Sequence, residues 1–172
     1  MKDISNFNNM DDYLPILNAS IISDLIIIGA IYYGGEFRSK FLMEWYEKYR
    51  LSAVIADVLI LVIGLVLARK FYYCLFKEYS LTKFYILVLI IQITHDFLFY
   101  KFFSAVPLGK NDMLDLFKSY ADEVGVNAIL GDSFMISITV FLSAFFADRS
   151  KLDNINILIL STYLVPYFIY SK

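Results

Sequence analysis

Apolar positions in this chain gather into five long runs separated by short polar stretches. A helix needs about 20 mostly apolar residues to cross a bilayer. The first run extends from about Tyr13 to Tyr33 and ends at Gly34-Gly35. The second extends from Leu51 to about Cys74, the third from Phe84 to Phe103, and the fourth from Val126 to Ala147. The fifth, Asn154 to Tyr170, is shorter and carries Pro166, so it is expected to span, tilt or lie partly in the interface.

Two connecting stretches have a different pattern. Between Glu36 and Arg50, Phe37, Phe41 and Trp45 recur every four residues, with Leu42, Tyr46 and Tyr49 beside them. Between Asn111 and Val124, Met113, Leu116, Phe117, Tyr120, Ala121 and Val124 follow amphipathic helical spacing. Both predict short helices that either lie at the headgroup level or cap the end of a bundle.

The pattern repeats. Sliding the chain along itself until Asp57 meets Asp132 also sets Phe41 on Leu116, Leu42 on Phe117, Trp45 on Tyr120 and Ala53 on Ala128. Asp24 falls near Asp96 if three residues are inserted. The unit is a span, an interfacial helix and a second span. Each copy crosses twice, so the two copies are expected to run parallel about an axis along the membrane normal. The fold expected is an all-α membrane protein: a four-helix transmembrane bundle made of two helix-pair repeats, plus a fifth C-terminal span. The divisions are a polar segment 1–12, a first repeat 13–76 with interfacial helix 36–50, a second repeat 84–148 with interfacial helix 111–124, and a last span 154–172.

Composition fits this class. Of 172 residues, 59% are hydrophobic, above the share of about 45–50% in soluble domains. The N-terminus is mildly acidic and lacks the basic region of a cleaved signal, so the first span is expected to remain in the mature protein. Basic residues divide evenly between the two sides and give no orientation. No basic patch suggests nucleic acid. Cys74 is the single cysteine, which excludes an intramolecular disulfide or a paired-cysteine metal site. No hydrolase, zinc-protease or phosphate-loop motif is present, so an enzyme is not expected.

The candidate chemistry lies in four aspartates within the apolar runs: Asp24, Asp57, Asp96 and Asp132. An ionisable group at membrane depth costs about 3 kcal/mol on insertion scales and normally faces protein or water. At 1.5 Å per residue, Asp24 and Asp57 lie about 15 and 9 Å from the same membrane face. Asp96 and Asp132 are expected at equivalent depths. His95 is an assisting candidate, with Ser20, Ser23, Gln92, Asn127 and Ser133 as polar neighbours. Carboxylates crowded into a low dielectric must hold protons, bind a cation or face a wet cavity. Two readings stand side by side. The layer is a proton or divalent-cation site of a channel or carrier, or each aspartate only bonds a neighbouring helix and fixes packing. No cofactor is expected beyond a divalent cation, which oxygen ligands would accept.

Three segments, Leu51–Asp57, His95–Tyr100 and Asn127–Ser133, resemble multi-pass membrane proteins encoded by giant nucleocytoplasmic large DNA viruses. That resemblance implies a location, a viral or host internal membrane, and implies no catalytic residue. The partners it suggests are the bilayer, capsid or other membrane proteins, and further copies of the chain. The expectation it favours is a structural or assembly component, with ion or proton transport as the alternative.

Overall fold

The computed structural model describes residues 2–34 and 39–171. Residues 36–38 of the expected first interfacial helix, Phe37 among them, lie outside the described residues, as do Met1, Gly35 and Lys172. Among the described residues the long elements are all α-helices: α1 (Tyr13–Tyr33), α2 (Lys40–Tyr49), α3 (Leu51–Leu75), α4 (Leu81–Ala105), α5 (Asp112–Val124), α6 (Asn127–Ala147) and α7 (Lys151–Tyr170). Five of these, α1, α3, α4, α6 and α7, are long and apolar enough to cross a membrane.

Local chemistry sets the ends. The α4 helix begins three residues before the apolar run because Ser80 caps it, its hydroxyl accepting from the Lys83 amide at 3.5 Å. Likewise α7 gains a full turn from a capping box between Ser150 and Asp153, which brings it to 20 residues and the length of a span. Asn111 caps α5 by accepting from the Met113 and Leu114 amides, each at 3.0 Å. Pro15 sits in the first turn of α1, where the missing amide costs no helical bond.

The most buried helix is α1. Of its most apolar stretch 61% is buried, against 17% for α4, so α1 is central and α4 turns mostly outward. It packs on α3, α6 and α7, while α4 packs on both α3 and α6. The α7 helix seats where Gly29 has no side chain; a Cβ there would lie 3.3 Å from the Phe168 ring. Asn18 fixes it further, donating to the Asn154 carbonyl at 2.8 Å and to Asn154 Oδ1 at 3.2 Å. Buried apolar contacts fill the rest, with Ile16, Leu65, Phe84 and Ile136 in one cluster and Ile28, Tyr46 and Val58 in another.

One end of the helices is covered by the polar N-terminal segment. Arg69 of α3, 1% exposed, donates to the carbonyls of Asn6 and Asn9 and lies 3.6 Å from Asp12. Its guanidinium also stacks over the Tyr13 ring at 4.5 Å. Lys2 pairs with Asp12 at 3.2 Å, Tyr73 donates to Asp3 at 2.8 Å, and Ile4 is fully buried. A buried charge is tolerated when it is paired and hydrogen-bonded, and this segment supplies both.

The opposite end is covered by α2 and α5, which pack on each other. They run antiparallel. Glu123 near the end of α5 accepts from the Ser39 hydroxyl at 2.5 Å and the Lys40 amide at 3.2 Å, at the start of α2. At the other end of the pair Lys48 meets Asp112 at 3.4 Å. Phe41, Leu42, Trp45, Leu116, Phe117 and Tyr120 surround a void of about 10 Å³ between the two helices.

Candidate functional site

Arg50 separates α2 from α3 with φ 49° and ψ −121°, an abrupt reversal that folds α2 back over the ends of α1 and α3. This delivers two adjacent side chains, Trp45 and Tyr46, to two aspartates on different helices. The Tyr46 hydroxyl lies 2.9 Å from Asp24 Oδ1 of α1 and 2.8 Å from Asp57 Oδ2 of α3. Trp45 Nε1 donates to the same Asp57 oxygen at 3.0 Å. Asp24 is fully buried and Tyr46 is 2% exposed, whereas Asp57 is half-buried.

Hydrogen counting constrains the state of this group. A phenol has one proton to donate and lone pairs to accept. Burial raises the Tyr46 pKa well above its ordinary value of 10.0, and the charges of Asp57 and Asp24 push the same way, so the phenol keeps its proton. It can donate to only one carboxylate. The other short oxygen–oxygen contact needs a proton on the carboxyl. Two donors already converge on Asp57 Oδ2, from Trp45 and Tyr46, which suits a carboxylate there. Asp24 Oδ2 is buried with no hydrogen-bond partner, a tolerable state for a neutral acid and a costly one for an anion. The arrangement that satisfies every contact is Asp24–OH to Tyr46, and Tyr46–OH to Asp57.

The second pair of aspartates is placed differently. Asp96 Oδ1 accepts from Gln92, one turn earlier on α4, at 2.8 Å and lies 3.2 Å from His95 Nδ1. Its other oxygen is buried without a hydrogen-bond partner. The His95 side chain is 40% exposed and stacks on Phe99 with ring centroids 5.8 Å apart. Asp132 is half-buried and interacts electrostatically with Asp96 and Asp57. Tyr120 of α5 is close enough to sense all three. Burial raises its hydroxyl pKa, and the charges of Asp132, Glu123, Asp57 and Asp96 add to that rise.

The remaining candidates divide. Ser20 and Ser23 are fully buried; Ser20 donates to the Ile16 carbonyl at 2.9 Å, and Ser23 accepts from Thr139 at 2.9 Å. Gln92 holds Asp96. Ser133 offers its carbonyl to Ser137 at 2.5 Å, and Asn127 is exposed at the start of α6. The aspartates therefore form a hydrogen-bonded pair and two flanking carboxylates. A single ligand set is not what the described residues assemble: no three His, Cys, Asp or Glu side chains among them converge as metal ligands.

The residues that sequence reasoning did not single out are the aromatic partners, Trp45, Tyr46 and Tyr120. The signal was present. Trp45 and Tyr120 fall together when Asp57 is aligned with Asp132, so each stands the same distance ahead of an aspartate. No family model matches the chain, and no curated protein or solved structure does either. What defines the class is the fold: among the described residues five helices are long and apolar enough to cross a membrane, as an integral membrane protein requires.

Proposed function

We propose that this chain is a polytopic integral membrane protein that holds an exchangeable proton within the bilayer and passes it between Asp57 and Asp24 through Tyr46. The observation that carries this reading is the single phenol between two carboxyl oxygens, at 2.9 and 2.8 Å. At these distances each contact is a full hydrogen bond. From the arrangement Asp24–OH to Tyr46 and Tyr46–OH to Asp57, the Asp24 proton moves to Tyr46 Oη as the phenol's own proton moves to Asp57 Oδ2. The reverse order returns it. No electron moves and no bond between heavy atoms breaks. A proton suits the group better than a divalent cation, because the nearest polar neighbours of Asp57 are donors, Trp45 and Tyr46, where a cation requires acceptors.

The architecture supporting this reading is a duplicated one. The six residues around the α2–α5 void are three pairs under the alignment of Asp57 with Asp132: Phe41 with Leu116, Leu42 with Phe117, Trp45 with Tyr120. Two helices related by a two-fold axis normal to them run antiparallel, as α2 and α5 do. The four helices α1, α3, α4 and α6 would then be the bundle, with α7 outside it. On this reading α2 and α5 lie at one membrane interface as a shared cover over the aspartates. The likeness of three segments to giant-virus membrane proteins supports a viral or host internal membrane as the location.

A structural or assembly role is the second reading. It is favoured by Asn154, which ties three helices together: it accepts from Asn18 of α1 and donates to the Phe146 carbonyl of α6 at 2.9 Å. On that reading capsid or neighbouring membrane proteins, or other copies of the chain, are the partners. Reconstitution into liposomes with a trapped pH dye separates the two. The proton reading requires a potential-driven pH change that Asp57→Asn and Asp24→Asn each abolish while the protein still folds. A wild-type protein that leaves the gradient intact would return the chain to the structural reading.

A further inference from the structure

Asp57 is half-buried beneath Trp45 and Tyr46 of α2, whereas Asp24 is fully buried. A proton that reaches Asp24 needs somewhere to go. From Asp24 toward the opposite end of the molecule, α1 carries three more fully buried polar side chains: Ser23, Ser20 and Asn18. Facing helices match them. Thr139 and Ser143 of α6 are fully buried, and Asn154 of α7 is 2% exposed. Each of these six buried side chains must find a partner inside the protein, and together they make a polar file along α1.

The groups are linked across helices at two points, Thr139 with Ser23 and Asn18 with Asn154, while the Ser20 and Ser143 hydroxyls donate to carbonyls of their own helices. Ser20 lies one turn before Asp24 on the same face of α1, and the Cα–Cβ bond of Asp24 tilts toward that turn. Thr139 Oγ1 lies 2.9 Å from Ser23 Oγ, and Ser143 Oγ donates to the Thr139 carbonyl at 2.6 Å. Asn18 bonds Asn154, whose amide donates to the Ser150 carbonyl at 3.0 Å, at the exposed N-terminus of α7. At 1.5 Å per residue, Asp24 to Asn18 covers about 9 Å of the about 16 Å of α1 that lies between Asp24 and Tyr13, its first residue. The buried acceptors Asp24 Oδ2 and Asn18 Oδ1 lack a hydrogen-bond partner, one near each end of this stretch. Buried unpaired acceptors of this kind are the sites where internal water is held.

We propose that the Ser20, Ser23, Thr139 and Ser143 hydroxyls, closed by the Asn18–Asn154 pair, form the second half of a proton path that carries protons from Asp24 to the face where α7 begins. This rests on the relay reading of Asp24, Tyr46 and Asp57. Each hydroxyl can donate and accept in turn, and the path requires water between the groups that are not directly bonded. For each proton that Asp24 releases into the file, one is taken up at Asp57, so the charge of the pair is unchanged over a cycle.

The test uses the whole protein in liposomes, with infrared detection of protonated carboxyl groups in the same preparations. Thr139→Val removes the hydroxyl at nearly constant shape, and Thr139→Ser keeps it. The expected result is a loss of proton flux of tenfold or more in Thr139→Val, near wild-type flux in Thr139→Ser, and the same protonated-carboxyl band in all three. Wild-type flux in a folded Thr139→Val protein would overturn the path. If Thr139→Val fails to fold, Ser143→Ala decides by the same criterion, with a severalfold loss expected and unchanged flux overturning the proposal. A wild type with the band but no flux would overturn the path and return the chain to the structural reading, with the shared proton of Asp24 and Asp57 then serving packing alone. A wild type without the band would remove the relay itself.

Discussion

Arg50 and Gly125, which fall together when Asp57 is aligned with Asp132, share one unusual backbone conformation: φ 49° and ψ −121° for Arg50, φ 56° and ψ −131° for Gly125. Each stands between a short helix and a span, and each turns the chain so that the short helix lies back over the aspartates. Glycine adopts this conformation freely, whereas a side chain is strained in it by about 1–3 kcal/mol. Arginine is kept there with its guanidinium over the Tyr170 ring at 5.1 Å. Gly125 has open space around it, so backbone strain alone decides its substitution. Gly125→Ala is expected to lower stability by about 1–2 kcal/mol, read by thermal unfolding in detergent. An unchanged midpoint would show that the turn is not strained.

Tyr46→Phe keeps the ring and removes the hydroxyl that joins two aspartates. Asp24 then loses its one hydrogen bond, while Asp57 keeps Trp45. Leaving a buried polar group unpaired costs about 1–3 kcal/mol. The same change should stop proton exchange between the two carboxyls. Thermal unfolding and liposome flux measured together check both parts. A variant that is destabilised but still conducts would assign Tyr46 to packing only.

Arg69 is the most consequential charge in the fold. Removing one partner of a buried ion pair costs about 3–5 kcal/mol, because the other charge is left behind. Arg69→Gln would leave Asp12 with Lys2 and strip two carbonyls of their donor, so the loss should fall at or below the lower end of that range. Segment 2–12 should then become sensitive to proteases added from its side. A variant as stable and as protected as the wild type would contradict the account of this end of the molecule.

The spans were legible in the sequence because a membrane helix must be continuously apolar for a fixed length, and Leu51–Leu75 is as plain a case as any. The four aspartates were legible for the opposite reason, as polar residues where none should be. Their partners were not. Tyr46 has nothing local to mark it, since it becomes a bridge only after the reversal at Arg50 brings α2 onto two other helices. Asn18, Thr139 and Asn154 come from three helices and meet only when those helices pack. Arg69 read as one of several basic residues near a span end. Its burial depends on carbonyls of Asn6 and Asn9, which no side-chain pattern reveals.

Glu123 gives a pH dependence outside the spans. The Ser39 hydroxyl, then the Lys40 and Phe41 amides and the Lys40 charge, hold its carboxyl below the ordinary value of 4.5 despite slight burial. A group depressed on folding contributes stability above its ordinary pKa and loses it as the pH falls through the lower folded value. The α2–α5 contact should therefore hold at neutral pH and loosen under acid below 4.5. Glu123 is exposed, so the effect is small, below about 1 kcal/mol. Trp45, the single tryptophan, packs on Phe117 at 4.9 Å and reports the contact by its fluorescence. The acid-induced change should be present in the wild type and reduced in Glu123→Gln. Equal changes in both would assign it to another group.

Infrared spectroscopy of the carboxyl C=O stretch at neutral pH reads whether Asp24 and Asp57 share one proton through Tyr46. A protonated-carboxyl band is expected in the wild type, lost in Asp24→Asn and shifted in Asp57→Asn, where buried Asp24 keeps its proton but the phenol donates to a neutral amide. A wild-type spectrum without that band, or one that neither substitution alters, would contradict the shared proton.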